Sequence, residues 1–196
     1  MFVITPCAAG CGRPAIFGSA LCAAHCVNQK EEGKRIADYI VRQKNVKDLN
    51  AQGLHFENLD FSGGKFSGCS FSGAVFTKCN FSGINMRQVF FDFSAFILCN
   101  FIDVDFRFIS FAGTVVKQCN FNSSELVEIN FGGSYITDSL FNNNNLYNSR
   151  FIETDLVKTS VINCNLIRAV FYKCRQTDVT FKSSNTAEAI FTMDES

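Results

Sequence analysis

The sequence predicts an all-β solenoid whose coils have four sides, and a repeat of five residues is the main reason. From Phe56 to Phe191, every fifth position can be aligned without an insertion or deletion, which gives 28 positions. Eighteen of these are Phe and eight more are other large apolar residues, so only Gln176 and Thr186 are polar. Self-similarity at a fixed period is the sequence signature of a repeat architecture. The chain also has 23 Phe and no Trp, a concentration that is unusual for a globular enzyme.

Each five-residue unit predicts a short strand followed by a bend. Two places before each large residue stands a smaller one, such as Leu54, Ala74 or Ile84, and the residue between them is often Asp or Asn. Three residues that alternate inward, outward and inward fit a strand. The other two residues are mostly polar or Gly, and they must turn the chain so that the next strand again points inward. Four bends close one coil, so residues about 20 positions apart stack on the same side.

This repeat resembles the pentapeptide-repeat family, whose units follow the pattern A-(D/N)-L-X-X or its Phe-centred form. The segments CNFSG at 79–83, CNFID at 99–103 and CNFNS at 119–123 carry the resemblance, which covers residues 49–191. It implies a right-handed quadrilateral parallel β-helix of about seven coils. We therefore expect three parts, which are a head at 1–27, a cap helix with its linker at 28–48, and the repeat domain at 49–196.

Three cysteines of the repeat stand 20 positions apart, which predicts a column inside one side of the solenoid. They are Cys79, Cys99 and Cys119. We interpret them as small buried hydrophobes that fill the minor inward position. A metal or redox site built from thiols is the alternative.

The head contains a Cys/His spacing that is typical of a metal site. Two pairs of ligand residues, separated by about ten positions, can meet around one tetrahedral ion, and thiolates with an imidazole suit Zn²⁺. The segments CGRPA and LCAAH also resemble small treble-clef-like zinc knuckles. Cys26 is an alternative to the histidine as fourth ligand, and ordinary thiols in a loop are the alternative to a metal site. The predicted ligands are Cys7, Cys11, Cys22 and His25.

The segment after the head predicts a short amphipathic helix. Asn28 with Glu31 forms a capping-box pattern at its start. One apolar stripe at helical spacing consists of Ile36, Ala37, Ile40 and Val41. Because the first coil of a β-solenoid has an open end that must be covered, we expect this helix to be the cap.

Composition and charge indicate the cellular compartment in which we expect the chain, but they identify no binding partner. The 18 basic residues balance the 18 acidic ones. Neither a secretory signal nor a membrane span is visible, so we expect a cytoplasmic protein whose ten cysteines are reduced or bind metal.

The sequence also contains no recognisable catalytic motif. His55 stands alone at an outward position of the first coil, and a solid apolar interior leaves no obvious pocket for a small-molecule substrate. We therefore expect a non-enzymatic protein-interaction or scaffold module that uses its outer walls.

Apolar residues at outward positions are the candidates for the partner surface, because exposed apolar patches often mark protein interfaces. The middle of the repeat has six of them: Phe90, Phe93, Ile97, Leu98, Ile102 and Phe108. The coils near the C-terminus have another six: Tyr147, Ile152, Val157, Ile162, Ile167 and Tyr172.

Three further partner hypotheses stay open at this point. The second group, next to the last coil, predicts a homodimer through the C-terminal coils. The family resemblance also implies that the chain is a DNA mimic that regulates a type II topoisomerase, although known mimics of this kind are strongly acidic and this chain is neutral. The basic residues of the N-terminal region raise the third hypothesis, nucleic-acid binding led by the zinc knuckle.

Overall fold

The computed structural model describes residues 4–192 and confirms the solenoid, with a small head and one α-helix before it. The helix α1 spans Gln29–Gln43, and a 3₁₀ helix spans Thr186–Glu188 near the other end. The strands are β1 Asn45–Lys47, β2 His55–Glu57, β3 Lys65–Ser67, β4 Val75–Thr77, β5 Asn85–Arg87, β6 Ala95–Ile97, β7 Asp105–Arg107, β8 Val115–Lys117, β9 Glu125–Val127, β10 Tyr135–Thr137, β11 Asp155–Val157 and β12 Arg175–Thr177.

All strands pair in parallel, and partners are 20 positions apart, as in Phe56 with Phe76. The first wall contains the sheet β1-β3-β5-β7-β9, and the third wall contains β2-β4-β6-β8-β10-β11-β12. Single bridges at the same spacing form the second wall, from Asn50 to Ile190, and the fourth wall, from Asp60 to Thr180. The result is a parallel β-helix of about seven coils with four walls. Its first strand begins at Asn45, four residues before the predicted start, because Val46 already occupies the inward register.

The large residue of each unit points into the core, as the register predicts. Phe101 is completely buried, and its ring centroid lies 4.7 Å from that of Phe81 and 4.4 Å from that of Phe121. The register weakens only at the end of the chain. Gln176 is exposed, and Thr186 lies in the 3₁₀ helix instead of a strand.

The minor inward positions are filled by small side chains, among them the cysteine column. The Sγ atoms of Cys79, Cys99 and Cys119 each lie 3.5 Å from a backbone carbonyl oxygen of the preceding coil. Cys69 occupies the same type of position on another wall, where burial raises the pKa of its thiol to about 11. These thiols are therefore packing groups that hydrogen-bond to the backbone.

The helix α1 covers the first coil, as expected for a cap. The side chain of Asn28 accepts hydrogen bonds from the backbone N–H groups of Lys30 and Glu31, which fixes the start of the helix. Ile36, Ala37 and Ile40 are buried against the core, together with Gly33. A Cβ at Gly33 would lie 2.7 Å from the carbonyl oxygen of His55, so glycine permits close contact with the first coil.

The prediction for Val41 was wrong, because its side chain is 47% exposed. At about 100° per residue, Val41 lies about 80° around the helix from Gly33, beyond the edge of the buried face. The helix has 15 residues, and no helix within residues 4–192 is long and apolar enough to cross a membrane.

Removal of one stacked ring should test the inward register. We expect Phe101→Ala to lower the free energy of unfolding by about 3–5 kcal/mol, because it leaves a cavity in a closely packed column. Asp103→Asn changes an exposed corner two residues away, where φ is 56°, and should have little effect. Urea denaturation of both variants measures the difference, and equal losses would show that the register is misassigned.

Candidate metal centre and binding surface

The four predicted ligands of the head come together in the structure. Their donor atoms all lie within 4.8 Å of one another. The Nδ1 atom of His25 is 3.5 Å from the Sγ of Cys7 and 3.5 Å from the Sγ of Cys22. The Sγ atoms of Cys11 and Cys22 are 3.7 Å apart. Three thiols and one imidazole nitrogen therefore surround a common centre.

These separations fit a tetrahedral zinc ion. Zinc binds sulfur at about 2.3 Å and nitrogen at about 2.0 Å, and tetrahedral angles then place neighbouring ligand atoms about 3.5–3.8 Å apart. Three of the six separations, 3.5, 3.5 and 3.7 Å, fall within that range, and the others are no longer than 4.8 Å. The cluster could hold a metal ion, and its donors are those that Zn²⁺ prefers.

Local backbone geometry positions the ligands. Gly10 and Gly12 adopt left-handed φ angles of 71° and 75°, which lets the chain turn tightly on both sides of Cys11. The backbone N–H of Cys22 donates to the Sγ of Cys7 at 3.4 Å. This hydrogen bond favours the thiolate and is the main reason why the pKa of Cys7 is lowered to about 6.

Cys26 lies outside the cluster. Its Sγ donates to the carbonyl oxygen of Ala23 at 3.3 Å, and burial raises the pKa of its thiol. His25 is therefore the fourth member of the cluster, and Cys26 is a partly buried neighbour outside it.

The head is attached to the solenoid as if it were part of one more coil. The N–H of Phe17 donates to the carbonyl oxygen of Asn50 at 2.8 Å, the same bond that Ala51 makes to Ser70 one coil later at 2.8 Å. The side chain of Asn50 donates back to the carbonyl oxygen of Ala15. Arg35 of α1 donates to the carbonyl oxygen of Phe17 at 2.6 Å. The head, the helix and the first coil therefore form one connected unit, which the sequence did not indicate.

A cleft of about 610 Å³ separates the head from the second wall. The Oδ1 atom of Asn50 is buried beside it and has no hydrogen-bond partner among the described residues. This cleft was not predicted from the sequence, because it arises from the way the head packs on the coils. Its lining includes Ile4, Phe17, Asn50, Ser70, Phe90 and Asp92.

The predicted surface residues in the middle of the repeat are mostly exposed. Ile97 and Ile102 are half-buried. The other four are exposed over more than a third of their area: Phe93 (78%), Phe108 (58%), Leu98 (45%) and Phe90 (37%).

The predicted surface residues of the C-terminal coils are less exposed to solvent than those in the middle of the repeat. Five of the six are half-buried, and Ile167 is at the border of exposure. The guanidinium of Arg168 lies 5.9 Å from the ring centroid of Tyr147 and donates to its hydroxyl. The ammonium of Lys173 similarly lies 5.3 Å from the ring centroid of Tyr172. This group therefore offers less open apolar surface than the middle group.

Three of the middle residues also have an unfavourable backbone conformation. At the bends of the solenoid, the residue two places after each large inward residue has a left-handed φ, and Gly, Asn, Asp and other polar residues usually occupy it. Phe93, Leu98 and Phe108 are the only apolar residues with positive φ among residues 4–192, at 58°, 57° and 57°. Bulky side chains are rare in this region, where such strain often accompanies a functional role. All three lie within one coil.

Solved structures similar to this one include pentapeptide-repeat proteins. A trypsin-treated form of QnrB1, a plasmid-mediated fluoroquinolone resistance protein, has 19% identity and a TM-score of 0.43, with 75% of this chain and 76% of that chain covered. HetL, involved in heterocyst differentiation regulation in the cyanobacterium Nostoc sp. strain PCC 7120, has 14% identity and a TM-score of 0.32, with 81% and 96% covered. No curated protein sequence matches the chain.

The family model for pentapeptide repeats matches residues 55–92 and 99–138 in eight copies. Outside these ranges, the same inward register and the same 20-residue pairing continue, from Asn45 to Ile190. The chain therefore contains pentapeptide repeats within a solenoid of this type.

Proposed function

We propose that this protein is a non-enzymatic binding module that contacts a protein partner through the coil at 91–110, and that zinc holds its head in place. The observation that carries the proposal is the set of exposed apolar residues at left-handed bends. Phe93, Leu98 and Phe108 lie outside the core, and the backbone at these bends favours Gly or Asn. Retention of such residues is best explained by a contact with another molecule.

The interior of the solenoid supports a binding role over catalysis. Its inward positions are filled by stacked rings and aliphatic side chains, and the polar groups there are Ser, Thr and Asn that bond to the backbone. His55 is exposed on β2, as predicted, and the other histidine belongs to the metal cluster. Acid–base or nucleophilic catalysis needs a base beside its partner group. Within residues 4–192, His55 has no such position, and we assign the contacts of His25 with the thiols of Cys7 and Cys22 to the metal cluster.

Zinc would act as a structural cross-link in the head. Bound by Cys7, Cys11, Cys22 and His25, the ion would join two loops that share few buried side chains. Because Phe17 lies between these ligand pairs and bonds to Asn50, a fixed head also fixes one side of the cleft.

Metal content tests the zinc proposal. We expect one equivalent of zinc per chain in protein purified without chelator, because all four ligand positions are filled by protein groups. Inductively coupled plasma mass spectrometry measures it, with Cys26→Ser as the matched control that should retain the metal. Cys22→Ser should lose it. A wild-type content well below one equivalent would contradict the proposal.

Chelation should affect the head and leave the rest of the solenoid folded. The coils beyond the cap have their own core, so we expect β-sheet circular dichroism to persist while amide exchange rises in residues 4–27. Loss of all β-sheet signal on chelation would mean that the metal is needed for the whole fold.

Replacement of the three corner residues tests the partner surface. We expect Phe93→Asn/Leu98→Asn/Phe108→Asn to lose partner binding by at least tenfold, because apolar anchors dominate the affinity of most interfaces. The measurement is a pull-down from the native host, followed by affinity measurement with the purified partner. A partner that is a topoisomerase or a nucleic acid would be identified in the same experiment.

A matched variant separates the apolar contact from the bend itself. Lys78→Asn/Gln88→Asn/Gln118→Asn changes three polar residues at equivalent bends in neighbouring coils, where φ is 54°, 53° and 54°. This variant should bind like the wild type. Equal binding by both triple variants would show that the corner residues are not the partner surface.

A homodimer through the C-terminal coils remains a prediction from the sequence. Phe181 and Phe191 of the last described coil are only partly buried, which favours a contact there. The cations over Tyr147 and Tyr172 make the walls of these coils a weaker candidate than the coil at 91–110.

A further inference from the structure

One wall of the solenoid carries both projecting rings and the depressions that could receive them. Phe93 and Phe108 stand at its two edges, because they occupy the bends that follow and precede the second wall. Both rings are more than half exposed. A coil or two further on, the edge that carries Phe93 continues as Gly113 and Gly133.

Gly113 and Gly133 on this edge differ in whether another side chain packs on them. The ring of Phe93 lies on Gly113, where a Cβ would be 2.7 Å from the Cδ1 of the ring. Gly133, one coil further, would have no atom within 4 Å of its Cβ. The position next to it on the wall is Gly132. Because neither glycine has a side chain, the surface beyond Phe93 forms a shallow depression.

A second depression lies beside Phe108. It has a volume of about 320 Å³, and Glu128, Asn130 and Arg150 form part of its lining. Neither Glu128 nor Arg150 forms an ion pair with any residue in the described part of the chain. The wall therefore presents both signs of charge beside its apolar rings, and two copies of it would not repel each other.

We infer that the partner of the second wall is a second copy of this chain, packed wall to wall and antiparallel. This inference rests on the proposed function, since it names the partner of Phe93 and Phe108. Leu98 stands on the bend between the third and fourth walls and lies outside this interface. A two-fold axis that lies across the wall near Ser110 places Phe93 of each copy over Gly133 of the other. The same axis brings the two Phe108 rings together beside their depressions. A two-fold interface requires such a self-complementary patch.

The size of the wall indicates a weak dimer. Seven coils at about 4.8 Å give a length of about 35 Å, and a side of three residues gives a width of about 10 Å. This footprint is smaller than the roughly 800 Å² per partner that is usual for a stable complex. Association should therefore be concentration-dependent in the micromolar range or above.

Sedimentation velocity over roughly 10–500 µM protein tests the inference. We expect reversible dimerisation of the wild type and at least a tenfold weaker association of Phe93→Asn/Phe108→Asn. Gly133→Asn fills the depression without a new backbone strain, since Asn tolerates a positive φ, and should weaken association similarly. Gly83→Asn is its control, because Gly83 has the same open left-handed geometry on the fourth wall. It should associate like the wild type.

Two results would overturn the inference. The first is a wild type that stays monomeric at the highest concentration. The second is a dimer that persists in Phe93→Asn/Phe108→Asn but is lost in Ile162→Lys/Ile167→Lys, which would move the interface to the C-terminal coils. If the wild type is monomeric while the triple corner variant loses a different partner, only the inference fails and the proposed function stands.

Discussion

The rest of the structure depends on a left-handed bend that recurs through the solenoid. A strand of three residues can keep its first and third side chains inward only if the chain then turns before the alternation sends the next one outward. The residue at each bend adopts a φ between 48° and 71°, a region open to Gly and Asn but unfavourable for bulky side chains. Without these bends, the rings of Phe81, Phe101 and Phe121 could not form one column.

Because of the bends, inward side chains determine the stability of the solenoid, and outward side chains are available to bind a partner. Inward positions are closed to water and closely packed, so a change there affects folding. Outward positions contribute little to folding, and departures from the usual residue types there need another explanation. The coil at 91–110 has three such departures, at Phe93, Leu98 and Phe108. At the N-terminal end, the helix covers the core, while the head adds one backbone hydrogen bond through Phe17 and contains the Cys/His cluster.

Much of this could be predicted from the sequence, because the relevant signals are periodic or local. The period of five fixed which residues are buried, and the Cys/His spacing brought Cys7 and His25 into one candidate site. The left-handed bends were also detectable, since Gly63, Gly73 and Gly83 mark the position that Phe93 occupies in its own five-residue unit.

Other features could not be predicted, for physical reasons. The bond from Phe17 to Asn50 joins two backbone groups, which every residue has, so no residue type reveals it. The cleft beside the head depends on that bond and was missed for the same reason. Exposure of Val41 depends on how the helix is rotated against the first coil, and helical spacing alone does not determine the edge of a buried face.

The most direct test of the central claim is the stability of Phe93→Asn, measured by urea denaturation beside Gln118→Asn. Both residues have left-handed φ angles, 58° and 54°, so Gln118→Asn reports what Asn alone contributes at such a bend. If Phe93 is retained for binding, Phe93→Asn should be as stable as the wild type or more stable by up to about 1 kcal/mol, because Asn relieves the strain. A loss of more than about 1 kcal/mol would show that the ring stabilises the solenoid through its contact with Gly113, and would contradict the claim.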